Sequence, residues 1–315
     1  MITSNKITMY LDEFIDYKHS LGFKIQGEES VLRNFARYTL HLEYDGPFTR
    51  ILAMDWIVRG TSCDKTMARR LEILRPFAKY LKSFDKKTES IADLSYGNAH
   101  IRPVPYIYKE DEVAKLMNHC KNLYSPNGIR SKTIATVIAL LWATGLRPTE
   151  STNLLIGDID ISTGIIHIRK TKFNKERYIP VDISVIEHLS EYHQWIIEKL
   201  GPKKQEDSFF YTTGGKPLSE QSLSYAFNLI RGCINAVPIG YPCVSLYDFR
   251  HSMACRTIKK WSYLGIDVNS HLHILSTFMG HVKPANTYWY ISATSETLSL
   301  SCIKYEKKFG GNEDE

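Results

Sequence analysis

Four short segments of this 315-residue chain hold residue types that could act together on a phosphate. The first is Ala143-Thr-Gly-Leu-Arg147-Pro-Thr-Glu150. An arginine two residues after a helix-ending glycine is held in a fixed place by the buried helix before it. Glu150, three residues on, can orient the guanidinium; alone, the pair also reads as a surface salt bridge at a helix end. The second is Thr171-Lys172-Phe-Asn-Lys175-Glu-Arg177, a basic turn between two strands. It reads either as a solvated turn or as a mobile lysine that reaches a phosphate or a leaving oxygen. In the third, Tyr247-Asp-Phe-Arg250-His251, positions 247 and 250 share a helical face and would point a polar ring and a guanidinium at one target. The fourth is Met279-Gly280-His281, followed nine residues later by Tyr290.

These segments need elements to hold them. Ile134, Val137, Ile138 and Leu141 predict a strongly buried helix that ends at Gly145, just before Arg147. Residues 158–162, 164–169 and 177–181 read as three short strands with turns at Ser162-Thr163-Gly164 and Phe173-Asn174, so the basic turn sits in a hairpin. After Pro180 the pattern is helical again. Upstream, Ile7, Leu11, Phe14 and Ile15 fall on one helical face, as do Val31, Phe35, Tyr38 and Leu42, and then Met67, Leu71, Leu74, Phe77, Ala78 and Leu81. Pro76 lies inside the last run and predicts a kink or a break. The expected fold is mainly α with a small antiparallel β-sheet. A helical domain over 1–86 and a linker over 87–105, where periodicity gives way to Gly97, Pro103 and Pro105, precede a mixed domain over 106–315.

Composition narrows the class without naming it. With 43% hydrophobic and 23% charged residues the chain resembles an ordinary soluble globular protein. The run from Ile134 to Ala143 is too short to span a bilayer, and the opening residues have no apolar core of an export signal, so a cytoplasmic location without membrane contact is expected. The net charge of +6 suits a nucleic-acid partner, but residues 1–86 hold 14 Lys+Arg against 11 Asp+Glu, so no basic arm stands out. Cys63, Cys120, Cys233, Cys243, Cys255 and Cys302 are scattered without CxxC spacing, which predicts reduced, mostly buried thiols and no metal site. Thr212-Thr-Gly-Gly-Lys216 lacks the phosphate-loop pattern and reads as a turn.

Taken together, the four segments resemble the tyrosine recombinase, or phage integrase, family in type and order from Arg147 to Tyr290. The separation of His281 from Tyr290 is similar to that between the family's Leu-Gly-His box and its nucleophile, and 171–180 looks like its lysine hairpin. The resemblance implies a helical core-binding domain followed by an integrase-type catalytic domain. It implies Arg147 and Arg250 as phosphate clamps, Lys172 as the general acid, His281 as a further donor and Tyr290 as the nucleophile. Glu150 and His251 would support them. Tyr288 is a competing nucleophile, but two residues apart on a helix the rings point about 200° apart, so one alone can face the arginines.

The resemblance further implies site-specific cutting and rejoining of double-stranded DNA through a 3′-phosphotyrosyl bond. No cofactor is expected, because transesterification conserves the phosphodiester energy. The two domains would close on DNA as a clamp. Lys65, Arg69, Arg70 and Lys79 in the first domain are the candidate DNA contacts, each also readable as part of a solvated helix face, and Lys175 and Arg177 either support the hairpin or touch the DNA backbone. A homo-tetramer on the recombination site is implied, with the tail after Tyr290 packed on a neighbour, partner recombinases or accessory proteins as further partners, and association with the nucleoid.

Two departures matter. The family usually has histidine where this chain has Tyr247, which can donate a hydrogen bond but, with a free pKa of about 10, is a poor base. From Arg250 to His281 is 31 residues, longer than the family shows, with the added part at 260–273. That length, with Leu275 to His281 and Asn286 to Tyr290, looks like a transposon-borne subgroup. Chromosome-dimer resolution is an alternative job for the same chemistry. An accessory subunit that binds DNA without cutting it is an alternative of another class, and a type IB topoisomerase would share the chemistry.

Overall fold

The computed structural model describes residues 5–100, 105–169, 176–234, 244–281, 283 and 285–292. The chain divides between Arg102 and Pro103 into two compact units.

The first unit is built from α1 (Lys6–Ser20), α2 (Gln26–His41), α3 (Arg50–Val58) and α4 (Asp64–Phe84). Each start has a physical reason. The Asn5 side chain accepts the Thr8 amide at 2.8 Å, and Thr49 accepts the Leu52 amide at 3.2 Å, satisfying amides that a helix start leaves without partners. Leu11, Phe35, Trp56, Leu74 and Phe77 form the core, with Phe35 edge-on to Trp56 at 5.2 Å. The face of α2 is turned from the expected one: Leu32 and Ala36 join Phe35 and Tyr38 inside, while Leu42 is exposed. α4 runs through Pro76 without a break. The segment expected as a linker is partly core. Ile91 is buried, with Leu94 and Tyr96 packed against the same cluster, and Arg50 grips Asp93 at 2.7 and 2.8 Å. Three apolar side chains in six residues are enough to fold this strap onto the first unit.

The second unit opens with α5 (Glu110–His119) and α6 (Ile129–Thr144). α6 is apolar nearly all round, with Ile134, Val137, Ile138, Leu140 and Leu141 buried, so it forms the unit's axis rather than a surface helix. α7 (Pro148–Thr152) follows, then an antiparallel sheet of β1 (Ile159–Asp160), β2 (Ile165–Ile168) and β3 (Arg177–Pro180) in that order. The strands are shorter than their apolar pattern predicts. Ile166 pairs with Ile179 on the buried face, while His167 stacks on Tyr178 at 4.5 Å on the other. α8 (Ile183–Leu200) and α9 (Glu220–Ile230) close around α6. Between them Thr212 to Lys216 is a turn, as expected, closed by the Thr212 amide on the Lys216 carbonyl at 2.8 Å.

α10 (Asp248–Tyr263), α11 (Val268–Met279) and α12 (Ala285–Ser292) form a second, smaller core with Met253, Ile258, Leu275 and Met279. Residues 260–273 form the end of α10, the turn after it and the start of α11. Among the described thiols Cys120 and Cys255 are buried, Cys233 is half-buried, and Cys63 is exposed, against the expectation of burial. No helix among the described residues is long and apolar enough to cross a membrane.

Candidate functional site

The site is assembled at two helix ends that stop in the same way. α6 ends on Gly145 at φ +62° and α11 on Gly280 at φ +63°, the left-handed region that glycine enters without cost from a side chain. Each turn leaves carbonyls pointing outward, and each places a polar residue just beyond, Arg147 after Gly145 and His281 after Gly280.

Arg250, in the first turn of α10, bridges the two ends. One Nη donates to the Gly145 carbonyl at 2.9 Å and the other to the Met279 carbonyl. The residue is only 4% exposed. Burial, with Arg147 nearby, lowers its pKa to about 10, which still leaves it charged at neutral pH. The partial negative charge at the C-termini of α6 and α11 favours that cation.

Arg147 is the N-cap of α7, with Pro148 at the first helical position where a missing amide does no harm. Glu150 accepts the Arg147 amide at 3.0 Å and its guanidinium at 2.6 Å, and the other Nη lies 3.2 Å from the Gly280 carbonyl. The Arg147 side chain keeps 22% of its surface open to solvent. Arg250 is therefore an anchored charge and Arg147 an accessible one.

Burial pushes the Glu150 carboxyl up, but hydrogen bonds and charge from Arg177, followed by Arg147, overcome it and hold it at about 2. Arg177 was expected either to support the hairpin or to touch the DNA backbone. It lies on β3 with both Nη atoms on Glu150, at 3.0 and 2.8 Å, and Nε on the Phe278 carbonyl at 2.9 Å. A buried carboxylate is the better partner for a planar fork than solvent, which explains this placement.

His281 has its amide on the Ser276 carbonyl at 3.0 Å, and its Nδ1 shares a 2.7 Å hydrogen bond with the hydroxyl of Thr287 on α12. Burial first, then the charges of Arg250, Arg147 and Arg177, depress the imidazole to about 3, so it is neutral at pH 7. An anion set among these arginines would offset their charge and raise the proton affinity of the ring.

Tyr290 is one helical turn beyond Thr287, on the same face of α12. It is 3% exposed, against 52% for Tyr288, and its ring lies 6.0 Å from that of His281 at 19°. Burial raises the phenol pKa, opposed by the charge of Arg250 and a hydrogen bond from it. His251 packs its ring against Tyr290 at 5.5 Å and Trp289 at 5.4 Å. Tyr247 is the residue before α10, about half exposed, its phenol pKa raised by burial, which leaves it a hydrogen-bond donor. Lys172 and Lys175 lie outside the described residues.

In the first unit the expected DNA contacts separate. Lys65 and Lys79 are exposed on α4. Arg69 is exposed but pairs with Glu72 at 3.0 Å and Glu28 at 3.7 Å. Arg70 is engaged internally: it donates to the carbonyls of Trp56, Ile57 and Arg59 at 3.2, 2.9 and 2.8 Å and lies over the Trp56 ring. It closes the C-terminus of α3, and a guanidinium there meets carbonyls that the helix leaves without donors.

Thr287 and the partnership of Arg177 with Glu150 were missed in the sequence. The first had a signal, since residues 287 and 290 stand three apart on one helical face. The second had none, because its partners lie 27 and 101 residues away.

Comparison with known proteins agrees with this arrangement. The phage integrase family profile matches residues 107–297. The integrase/recombinase y4rE of Sinorhizobium fredii is 29% identical over 291 residues, covering 92% of this chain and 93% of that one. Tyrosine recombinase XerC of Oceanobacillus iheyensis is 23% identical over 326 residues, covering 98% and 99%. Among solved structures, the Tn1549 transposon integrase in complex with transposon right end DNA superposes with a TM-score of 0.63 at 15% identity, covering 96% of this chain and 99% of that one. The chain belongs to the phage integrase family, the tyrosine recombinases, which break and rejoin DNA.

Proposed function

We propose that this chain recombines DNA at a specific site through a 3′-phosphotyrosyl bond to Tyr290, in the integration and excision of a mobile element. The observation that carries the reading is the placement of the Tyr290 phenol beside the Arg250 guanidinium and the His281 ring, with Arg147 open to solvent at the same two helix ends.

The chemistry follows from charge. The transition state of phosphoryl transfer carries more negative charge on the non-bridging oxygens than the ground state, and prearranged donors favour it, at roughly 3 to 4 kcal/mol each. Arg147 and Arg250 are those donors, with His281 and Tyr247 beside them. As the bond from Tyr290 Oη to phosphorus forms, the phenol passes its proton to solvent water and the bond to the 5′ oxygen breaks. Lys172 supplies a proton to that leaving oxygen. A 5′-hydroxyl of another strand then attacks the phosphotyrosine, restores a phosphodiester and frees Tyr290. Exchange between two duplexes breaks four strands, and each chain brings one Tyr290, which supports a tetramer as the working assembly. The mobile-element role draws on the transposon integrase among the structural neighbours and on the lengthened α10–α11 segment.

The test uses nicked suicide duplexes tiled across the DNA on either side of the chain's own gene, in EDTA, with wild type and Tyr290→Phe. Wild type is expected to leave a covalent protein–DNA band on a denaturing gel, and the variant none. A band that survives in Tyr290→Phe overturns the assignment of the nucleophile. Tight binding without any band favours an accessory subunit, and reaction only at a single chromosomal site far from the gene favours dimer resolution.

A further inference from the structure

We propose that Arg177 is a positioning residue of the strand-transfer site, a buried clamp that leaves Arg147 free for the phosphate and holds the turn carrying His281. The inference rests on the proposed function above and adds a role for a residue that touches neither DNA nor the reacting atoms.

Three elements meet on this one guanidinium. It is carried by β3, both Nη atoms bind the two oxygens of Glu150 in α7, and Nε binds the Phe278 carbonyl near the end of α11. Its side chain is 9% exposed and that of Glu150 5%. Arg177 is thus largely shut off from solvent, whereas Arg147 is open to it. The His281 turn also lies directly on it. A β-carbon placed on Gly280 would stand 2.8 Å from an Nη of Arg177, so glycine is required there by close approach as well as by its positive φ.

The consequence is electrostatic. Glu150 is a buried carboxylate shared between two guanidiniums, and a carboxylate taken out of water must be paired. Arg177 occupies it with a two-pronged grip, whereas Arg147 makes a single side-chain hydrogen bond to it and keeps its other Nη toward Gly280. Without Arg177, Arg147 would be drawn fully onto Glu150 and away from an incoming phosphate. The Phe278 carbonyl would also lose its donor, loosening the turn that carries His281. A reacting group displaced by about 1 Å loses on the order of 100-fold in rate.

The decisive experiment compares wild type, Arg177→Gln, Arg177→Lys, Glu150→Gln and the double variant Glu150→Gln/Arg177→Gln. Formation of the covalent complex on the suicide duplex is timed at a temperature where thermal melts show every variant folded, and binding to the same duplex is followed against salt. Arg177→Gln is expected to cleave about 100-fold slower than wild type. Arg177→Lys keeps the charge but not the fork, and falls between them. The double variant has no unpaired carboxylate and is expected to recover at least about tenfold over Arg177→Gln. The slope of log affinity against log salt falls by about 0.9 in Arg177→Gln, as Arg147 leaves its phosphate, and returns to that of wild type in the double variant.

A folded Arg177→Gln that cleaves at the wild-type rate overturns the proposal, since a merely structural role would appear in the melts alone. So does a double variant no faster than Arg177→Gln, because removing Glu150 cannot restore a phosphate contact made by Arg177 itself. The same experiment separates this from the underlying reading: if wild type forms no covalent complex, strand transfer itself fails, while DNA binding still shows whether the double variant restores the salt slope lost in Arg177→Gln.

Discussion

Arg250 and Arg70 are both arginines on long helices whose guanidiniums cap the carbonyls of another helix, yet they serve different ends. In the second unit Arg250 ties α6 to α11, and the caps place its charge beside Tyr290 and near Arg147. In the first unit Arg70 closes α3 against Trp56. The same local chemistry therefore builds a site in one unit and an interior joint in the other. What separates them is the company each cap keeps, a phenol, an imidazole and a second guanidinium around Arg250. The strongest tests pull on that difference.

The largest effect is expected at Arg250. Arg250→Gln removes a charged donor from two helix-end carbonyls in a buried place, at a cost of about 3 kcal/mol in unfolding free energy. It should also slow covalent complex formation by about 100- to 1,000-fold. Urea unfolding and suicide-substrate kinetics check the two losses separately. A variant that loses activity with no change in stability would show that the contacts to Gly145 and Met279 are incidental and that Arg250 serves the phosphate alone.

A smaller effect, peculiar to the second unit, is its response to acid. His281 is depressed to about 3, chiefly by burial and then by Arg250, so the folded state binds fewer protons at this ring than the unfolded chain below about pH 6.5. Its share of stability is complete above that value and is lost as pH falls toward about 3. Glu150, held at about 2, follows the same sign: its contribution, on the order of 3 kcal/mol, is present above its ordinary range near 4.5 and is lost as pH falls through about 2. Urea midpoints should therefore fall from about pH 6.5 downward, and His281→Asn should flatten the upper part of that fall. An unchanged slope in His281→Asn would mean that other groups carry it.

Much of this arrangement could be read in advance, and what could not has a common cause. The order Arg147, Arg250, His281, Tyr290 carried the family, and the apolar spacing of 134–141 gave the helix that ends at Gly145. Gly280 was seen only as part of a box, although its positive φ and its closeness to Arg177 both demand glycine. Arg177 in a run of charge looked like solvent, and Ile91 among glycines and prolines looked like linker. In each of these the deciding partner is distant in the chain, Glu150 and Phe278 for Arg177, Phe48 and Arg50 for the strap around Ile91. Periodicity reports which face a helix buries. It does not report which carbonyl or carboxylate waits there.

The smallest effects belong to the first unit and divide α4 against itself. Arg70→Gln should lower unfolding free energy by about 1 to 2 kcal/mol, because three carbonyls lose a charged donor, and should leave the salt dependence of DNA binding unchanged. Lys65→Gln and Lys79→Gln should do the reverse. Exposed lysines contribute little to folding, within about 0.5 kcal/mol, but each one that neutralises a phosphate steepens the slope of log affinity against log salt by about 0.9. Cleavage at saturating DNA should be unaffected in both lysine variants, since neither residue lies in the unit that holds Tyr290. Binding isotherms at several salt concentrations, alongside urea melts, read both quantities on the same proteins. If Arg70→Gln lowers the salt slope as much as Lys79→Gln does, its grip on α3 must open when DNA arrives, and the first unit would then carry its cations to the phosphate by rearrangement, unlike the anchored charge of Arg250.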